Sequence, residues 1–292
     1  MSQASKTHPE DGDSAVLSQA KLVLRGVISL QVVGLLLYLG WQQQTSALSS
    51  LLYFDFDLAE SVSTAVHWGL VIGLTAVLLS TLIRPHVWLL VSMGVWLLAE
   101  AVIKWYRRDG FLSWVEPIEY ASRYMAPICL AYLMTRGSVH RSAEGTDLHA
   151  KAIRTRSQCE RYLRIAAALT FLGHGYVAMQ GNPHFVDLIM GFSLHVFGTK
   201  PVDHFAQQAV FLIGVIDVGI AFLLLETRHR WLLIYMTFWG LITAFSRLFY
   251  FGWDGLPDAL TRIPNGGVPL VCLLLLQKKT TDAAVEQGEN ER

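Results

Sequence analysis

The run Trp88-Leu89-Leu90-x-x-Met93-x-x-Trp96 returns as Trp231-Leu232-Leu233-x-x-Met236-x-x-Trp239. One register relates the two runs, and it carries Lys104 onto Arg247 and Glu60 onto Asp203. Shared apolar residues alone would say little, because any two membrane helices look alike. Tryptophans and charges that match within one frame are harder to obtain by chance. The chain therefore reads as a duplicated helical unit.

The units belong in a bilayer. Charged residues make up 16% of the chain, well below the roughly 25% of an average soluble protein. A helix that spans a bilayer needs roughly 20 mostly apolar residues. Such blocks lie near Val23–Trp41, Val62–Leu82, Val87–Trp105, Tyr120–Met134, Tyr162–Met179, Phe205–Leu225, Trp231–Phe251 and Ile263–Leu276. Burying all eight in one soluble domain, with few charges left to solvate it, conflicts with surface-to-volume scaling. The expected fold is all-α: a polytopic membrane protein of eight transmembrane helices, arranged as two parallel four-helix repeats. Residues 1–20 form a polar start, 21–135 the first unit, 136–160 a basic linker, 161–277 the second unit and 278–292 a polar tail. The start contains Glu10, Asp11 and Asp13, unlike the basic leader of a signal peptide, so the first block reads as a retained helix.

Positive charge sets the orientation. Arg136, Arg141, Lys151, Arg154, Arg156 and Arg161 crowd the central linker. Arg84, Arg228, Arg230, Lys278 and Lys279 fall on the same side, whereas Asp55, Asp57 and Asp187 lie opposite. Both termini are thereby expected in the cytoplasm, with Arg107 and Arg108 dissenting on the acidic side. An even number of crossings per unit makes the repeats parallel, related by an axis along the membrane normal. The first helices align through Leu24-Arg25 with Leu163-Arg164 and Gly34 with Gly173. Ser46–Phe56 and Phe185–Phe197 read as short interfacial helices. Trp41, Trp68, Trp88, Trp105, Trp231 and Trp253 fall near helix ends, as an aromatic belt requires, while Trp96 and Trp239 are a matched pair in mid-helix.

Charges within lipid are expensive and each asks for a partner. Glu60 and Asp203 open second helices, Lys104 and Arg247 close third helices, and Glu119–Arg123 and Asp258–Arg262 open fourth helices. All fall on the outer side, and the four-residue spacing lets each carboxylate meet its arginine. Each unit thus gathers an outer charge cluster, either a network of structural ion pairs or a substrate or proton site. Glu100, one turn before Lys104, reads as its intramembrane ion-pair partner.

Breaks in the repeat are where function can depart from scaffold. His174 stands where the first unit has Leu35, about 15 Å along its helix from Arg164 at 1.5 Å per residue. Asp217 replaces Leu74 at a similar depth, about 20 Å inward from Asp203. A hydrogen-bonded His174–Asp217 pair would relay protons if ionised, and would orient a quinone or other carbonyl if neutral. A satisfied polar contact between helices is the alternative. His67, His184, His195 and His204 lie toward the outer side, so a bis-histidine haem is not expected. The cysteines Cys129, Cys159 and Cys272 form no C-x-x-C pair and signal no metal site. Phosphate-loop, dinucleotide, zincin and nucleophile-elbow motifs are missing from the sequence, and topology explains the basic linker without nucleic acid.

An arginine-bearing first helix, and a fourth that begins acidic-x-x-x-Arg and then proline, resemble the DoxX-type family of small four-helix bacterial membrane proteins. In the second unit the resemblance rests on Arg164, Gly173, Asp217, Arg247, Asp258, Arg262 and Pro269; in the first, on Arg25, Gly34, Glu119, Arg123 and Pro127. Family members are typically single units, whereas this chain resembles a fused pair with longer outer loops. The resemblance implies a bacterial inner membrane and a lipophilic redox partner. Three functions are in view: binding of a quinone or similar lipophile as a redox or respiratory subunit with no evident cofactor of its own, small-solute or proton-coupled transport between the repeats, and a membrane scaffold.

Overall fold

The computed structural model describes residues 9–108, 110–138, 146–199 and 202–276, and the regular structure among them is helical throughout. The first half comprises α1 (Pro9–Leu36, continued by a wide π turn Leu37–Trp41), α2 (Ala47–Ser50, continued through Leu51–Asp55), α3 (Glu60–Ile83), α4 (Val87–Arg107), α5 (Glu116–Glu119) and α6 (Ala121–Ser138). The second half comprises α7 (Thr146–Met179), α8 (Pro183–Phe197), α9 (Asp203–Glu226), α10 (Arg230–Phe251), α11 (Leu256–Thr261) and α12 (Pro264–Leu276). Five stretches are long and apolar enough to cross a membrane: Ala15–Trp41, Glu60–Ile83, Val87–Arg107, Asp203–Glu226 and Arg230–Thr261. α12 is a shorter apolar helix, and α6 has 18 residues.

Several boundaries differ from the sequence expectation. The first helix begins at Pro9, inside the expected polar start, because Leu17 and Ala20 bury an apolar stripe on the core. The expected linker is mostly helix: α6 runs to Ser138 and α7 starts at Thr146. From Thr146 to Leu172 the chain has neither proline nor glycine. The extension is fastened by Arg156, whose Nε donates to the Leu275 carbonyl at 2.7 Å, and by the Glu160–Arg164 pair at 3.2 Å. Arg141, Lys278 and Lys279 lie outside the described residues. Cys159 is thereby helical rather than in a loop, and all three cysteines are buried. The dissenting Arg107 is neutralised by Asp55 at 3.0 Å.

Both fourth helices are broken. Pro117 and Pro257, near the starts of α5 and α11, fit first-turn positions that need no backbone N–H, and each short helix stops before the longer one begins. Short helices form where interfacial ones were expected, as α2 and α8. The six helix-end tryptophans are all exposed, as headgroup anchors require.

The core lies between α1, α6, α7 and α12, where Leu24, Ile28, Leu130, Leu163 and Val271 are fully or almost fully buried. In lipid, apolar surface gives helices little reason to associate, so small residues that permit close backbone approach carry the packing. A Cβ on Gly175 would meet the Gly214 carbonyl at 2.8 Å, and one on Gly214 would meet the Gly175 carbonyl at 2.6 Å. This contact clamps α9 to α7. A reciprocal one clamps α10 to α12, since a Cβ on Gly240 would strike Asn265 and one on Gly266 would strike Thr237, each at 2.6 Å. The halves also seat each other. Gly34 on α1 receives α11, and its register partner Gly173 on α7 receives Glu119 of α5.

Gly214→Val is expected to force α9 from α7 and cost about 1–3 kcal/mol, the usual penalty of overpacking. Gly219→Ala, on the same helix with open space around it, should be neutral. Thermal unfolding in detergent decides: equal melting temperatures for the two variants would mean that this contact does not hold the bundle.

Candidate functional site

The outer ends of both halves meet in one polar cluster. α5 ends in Glu119, and the missing side chain of Gly173 lets that residue approach α7. Glu119 Oε1 lies 2.7 Å from His174 Nδ1, and His174 Nε2 lies 3.1 Å from Asn265 Nδ2 on α12. A neutral imidazole with its proton on Nδ1 satisfies both contacts: it donates to the carboxylate and accepts from the amide. Burial pushes the Glu119 carboxyl up, but neighbouring His174, Arg262 and Arg123 outweigh it and hold the carboxyl below the usual carboxylate range.

Beside this chain of contacts, Asp258 sits between two guanidiniums. Arg247 Nε donates to Oδ2 at 2.8 Å and Arg262 Nε to Oδ1 at 3.0 Å. Arg247 also donates to the Thr243 carbonyl of its own helix. Arg123 takes another course, with its guanidinium 4.1 Å from the centre of the Tyr120 ring. Lys104 donates to the Tyr120 hydroxyl at 2.7 Å.

Two cavities adjoin the cluster. The inner chamber, about 260 Å³, is walled by apolar residues of α8, α9 and α10, and its polar lining comprises Asp217 bonded to Trp239, His174 bonded to Asn265, and Arg247 and Arg262. The second cavity, a polar vestibule of about 430 Å³, is lined by Glu116, Glu119, His184 and Asp258 among others. His174, Phe185, Leu188, Arg247 and Arg262 line both. The chamber thus has an apolar body with a few bonded polar groups, the usual composition of a small-molecule site.

Asp217 accepts from the Tyr235 hydroxyl and the Trp239 indole N–H, each at 3.3 Å. Both contacts are longer than well-formed hydrogen bonds, which leaves the carboxyl able to take a further partner. The matched tryptophan in the first half makes the parallel contact differently. Trp96 donates to Glu100 at 3.1 Å, and Glu100 also accepts the backbone N–H groups of Ala47 at 2.7 Å and Leu48 at 3.3 Å. Glu100 is therefore saturated as a cap on the start of α2. Asp217 has no such cap to make and faces a cavity.

Four expectations are corrected. His174 and Asp217 share the chamber wall, but each is bonded to other residues, because Glu119 and Asn265 reach the imidazole first. Glu119 does not pair with Arg123, since the break at Tyr120 removes the four-residue helical spacing; Asp258 and Arg262 do pair. Glu60 and Asp203 stand exposed at the starts of α3 and α9, where the helix dipole favours an acid, outside the cluster. Glu100 turns to α2, and Lys104 to Tyr120, instead of to each other. The two expected clusters are accordingly one: Lys104, Glu119, Arg123, Arg247, Asp258 and Arg262 occupy a common outer region. Sequence reading missed Asn265 and Tyr235. Asn265, a carboxamide inside an otherwise apolar block, was the available signal.

Among the described residues no group of three or more His, Cys, Asp or Glu is placed to hold a metal ion. No protein-family model matches the chain, and neither a curated protein nor a solved structure is significantly similar to it.

Glu119→Ala would leave His174 and the nearby guanidiniums without their carboxylate. Breaking a buried pair from one side costs about 3–5 kcal/mol, so a large drop in melting temperature is expected. Asp203→Asn, at an exposed helix start, should fall within about 0.5 kcal/mol of the parent. A Glu119→Ala protein as stable as Asp203→Asn would show that the cluster does not join the halves.

Proposed function

We propose that the chain is a DoxX-like tandem of two parallel four-helix units, crossing a bacterial inner membrane eight times with both termini cytoplasmic. The proposed function is binding of a quinone or similar lipophilic molecule in the chamber of the second unit, as a redox or respiratory subunit. One observation carries this reading: the chamber presents apolar walls and two separately hydrogen-bonded sets of polar groups, Asp217–Trp239 and His174–Asn265. A quinone has that distribution, a flat apolar ring with an oxygen at either end. Asp217 and Trp239 would meet one oxygen, and the His174–Asn265–Arg247–Arg262 group the other. Asn265 Oδ1 is buried without a hydrogen-bond partner, which provides an acceptor for the hydroxyl of a reduced ring. The register between Gly34 and Gly173, each receiving the other half's short helix, supports the tandem arrangement.

A second reading is proton-coupled transport. It draws on Glu119 and His174, which straddle the two halves and connect the vestibule with the chamber. A scaffold role, the third, would use the same contacts for stability alone.

Protein purified in mild detergent is expected to carry near-stoichiometric quinone, detected by mass spectrometry of extracted lipids. Asp217→Asn should lose it while still folding, and His174→Ala should lose it and also melt lower, because Glu119 is left without its partner. Bulk phospholipid as the sole extract would sink the quinone reading. Proton flux in liposomes abolished by Asp217→Asn would then favour transport, and unfolding of these variants without any other effect would favour the scaffold.

A further inference from the structure

The chamber's outer wall is thin. α9 and α10 are joined by the short turn around Arg228, yet they make few direct contacts along their lengths. The cause is the pair of glycine clamps: Gly175–Gly214 draws α9 to α7, and Gly240–Gly266 draws α10 to α12. A slot is left between them. α8 packs against both helices and roofs the slot on its outer side, with Gly191 seated on the Tyr250 ring and Phe192 against Phe249 at 5.5 Å.

Two residues of the chamber wall also face outward. Ile242 is 56% exposed and Phe192 39% exposed, while Asp217 behind them is 6% exposed. The neighbouring outer surface continues as Phe211, Leu212, Val215 and Phe245, all exposed and apolar. Both α9 and α10 are long and apolar enough to cross a membrane, so this surface faces acyl chains.

We infer that the chamber opens sideways into the bilayer between α9 and α10, past Ile242 and Phe192, and that its ligand is a tailed lipid whose head enters while its chain stays in the membrane. The inference rests on the chamber being a ligand site, and it adds the route and the ligand class. A long isoprenoid or acyl chain does not fit within about 260 Å³ beside a ring. It needs an apolar exit, and the slot is one. A head that leaves lipid for the chamber exchanges apolar surroundings for a place with hydrogen-bonding partners, while the chain keeps its surroundings. Chain length should therefore hardly affect affinity.

The test uses two probes on the full chain in lipid nanodiscs: a tail-less dimethoxy-methyl-benzoquinone and its long-chain isoprenoid homologue. Affinities are expressed per lipid-phase concentration. In the parent protein both should bind within about threefold of each other. Ile242→Trp, which fills the slot, is expected to weaken the long-chain probe at least tenfold and the tail-less probe less than twofold. Leu79→Trp, on the exposed face of α3 in the other half, should change neither. A long-chain probe carrying a photoreactive group near the ring end of its tail should label peptides of α9 and α10. Rejection of the long-chain probe by the parent, with the tail-less one bound, would overturn the sideways opening but leave the chamber as a site. An equal loss of both probes in Ile242→Trp would overturn it too. Failure of both probes to bind the parent would remove the quinone reading and this inference together.

Discussion

The contact between Glu119 and His174 is where the two halves of the protein become one. A carboxylate taken out of water needs donors, and α5 alone supplies none of the required strength. The donor comes from α7 in the other half, brought within reach because Gly173 has no side chain to hold α5 away. His174 is oriented in turn by Asn265, so three helices from both halves are fixed by one chain of hydrogen bonds. The guanidiniums of Arg123, Arg247 and Arg262 and the carboxylate of Asp258 then settle around it. Asp258 is held by Arg247 and Arg262 within the second half, while Glu119 reaches across from the first half to His174.

Helix packing sets the shape of the cavity beside that cluster. In lipid, a helix gains little from covering apolar surface but gains from close backbone contact. Each glycine clamp commits a helix to one neighbour and withdraws it from another. The slot between α9 and α10 is a consequence of two good contacts elsewhere, and α8 covers it only from the outer side. The same economy explains why consecutive helices are not the best-packed pairs here.

The two halves use one device for different ends. Trp96 and Trp239 occupy matched positions, and each indole donates to a carboxylate. In the first half that carboxylate, Glu100, is consumed by the backbone N–H groups at the start of α2. In the second it is Asp217, on a different helix, held by two long contacts and open to a chamber. The donor is the same in both halves, but its acid lies on α4 in the first and on α9 in the second, where it faces the chamber.

Composition and periodicity were enough to read helical membrane character, the short helices α2 and α8 and the exposed tryptophans, because each depends on the residue type and its spacing alone. His174 and Asp217 stood out as polar breaks in the repeat, and the structure brings both to one chamber. Their partners could not be read in this way. Glu119 meets His174 instead of Arg123 because the helix breaks at Tyr120 and Gly173 admits α5; neither event is encoded in a local pattern. Charge pairing in a low-dielectric interior depends on distances across helices far apart in the chain, so only the tertiary structure decides it. The basic linker was likewise misjudged from polarity, because its helix is fastened by Arg156 reaching the end of α12. The sequence by itself determined that the chain is a set of apolar helices and which polar residues they carry, because residue type and spacing suffice for that; the tertiary packing decided which of those residues meet, and where space is left between them.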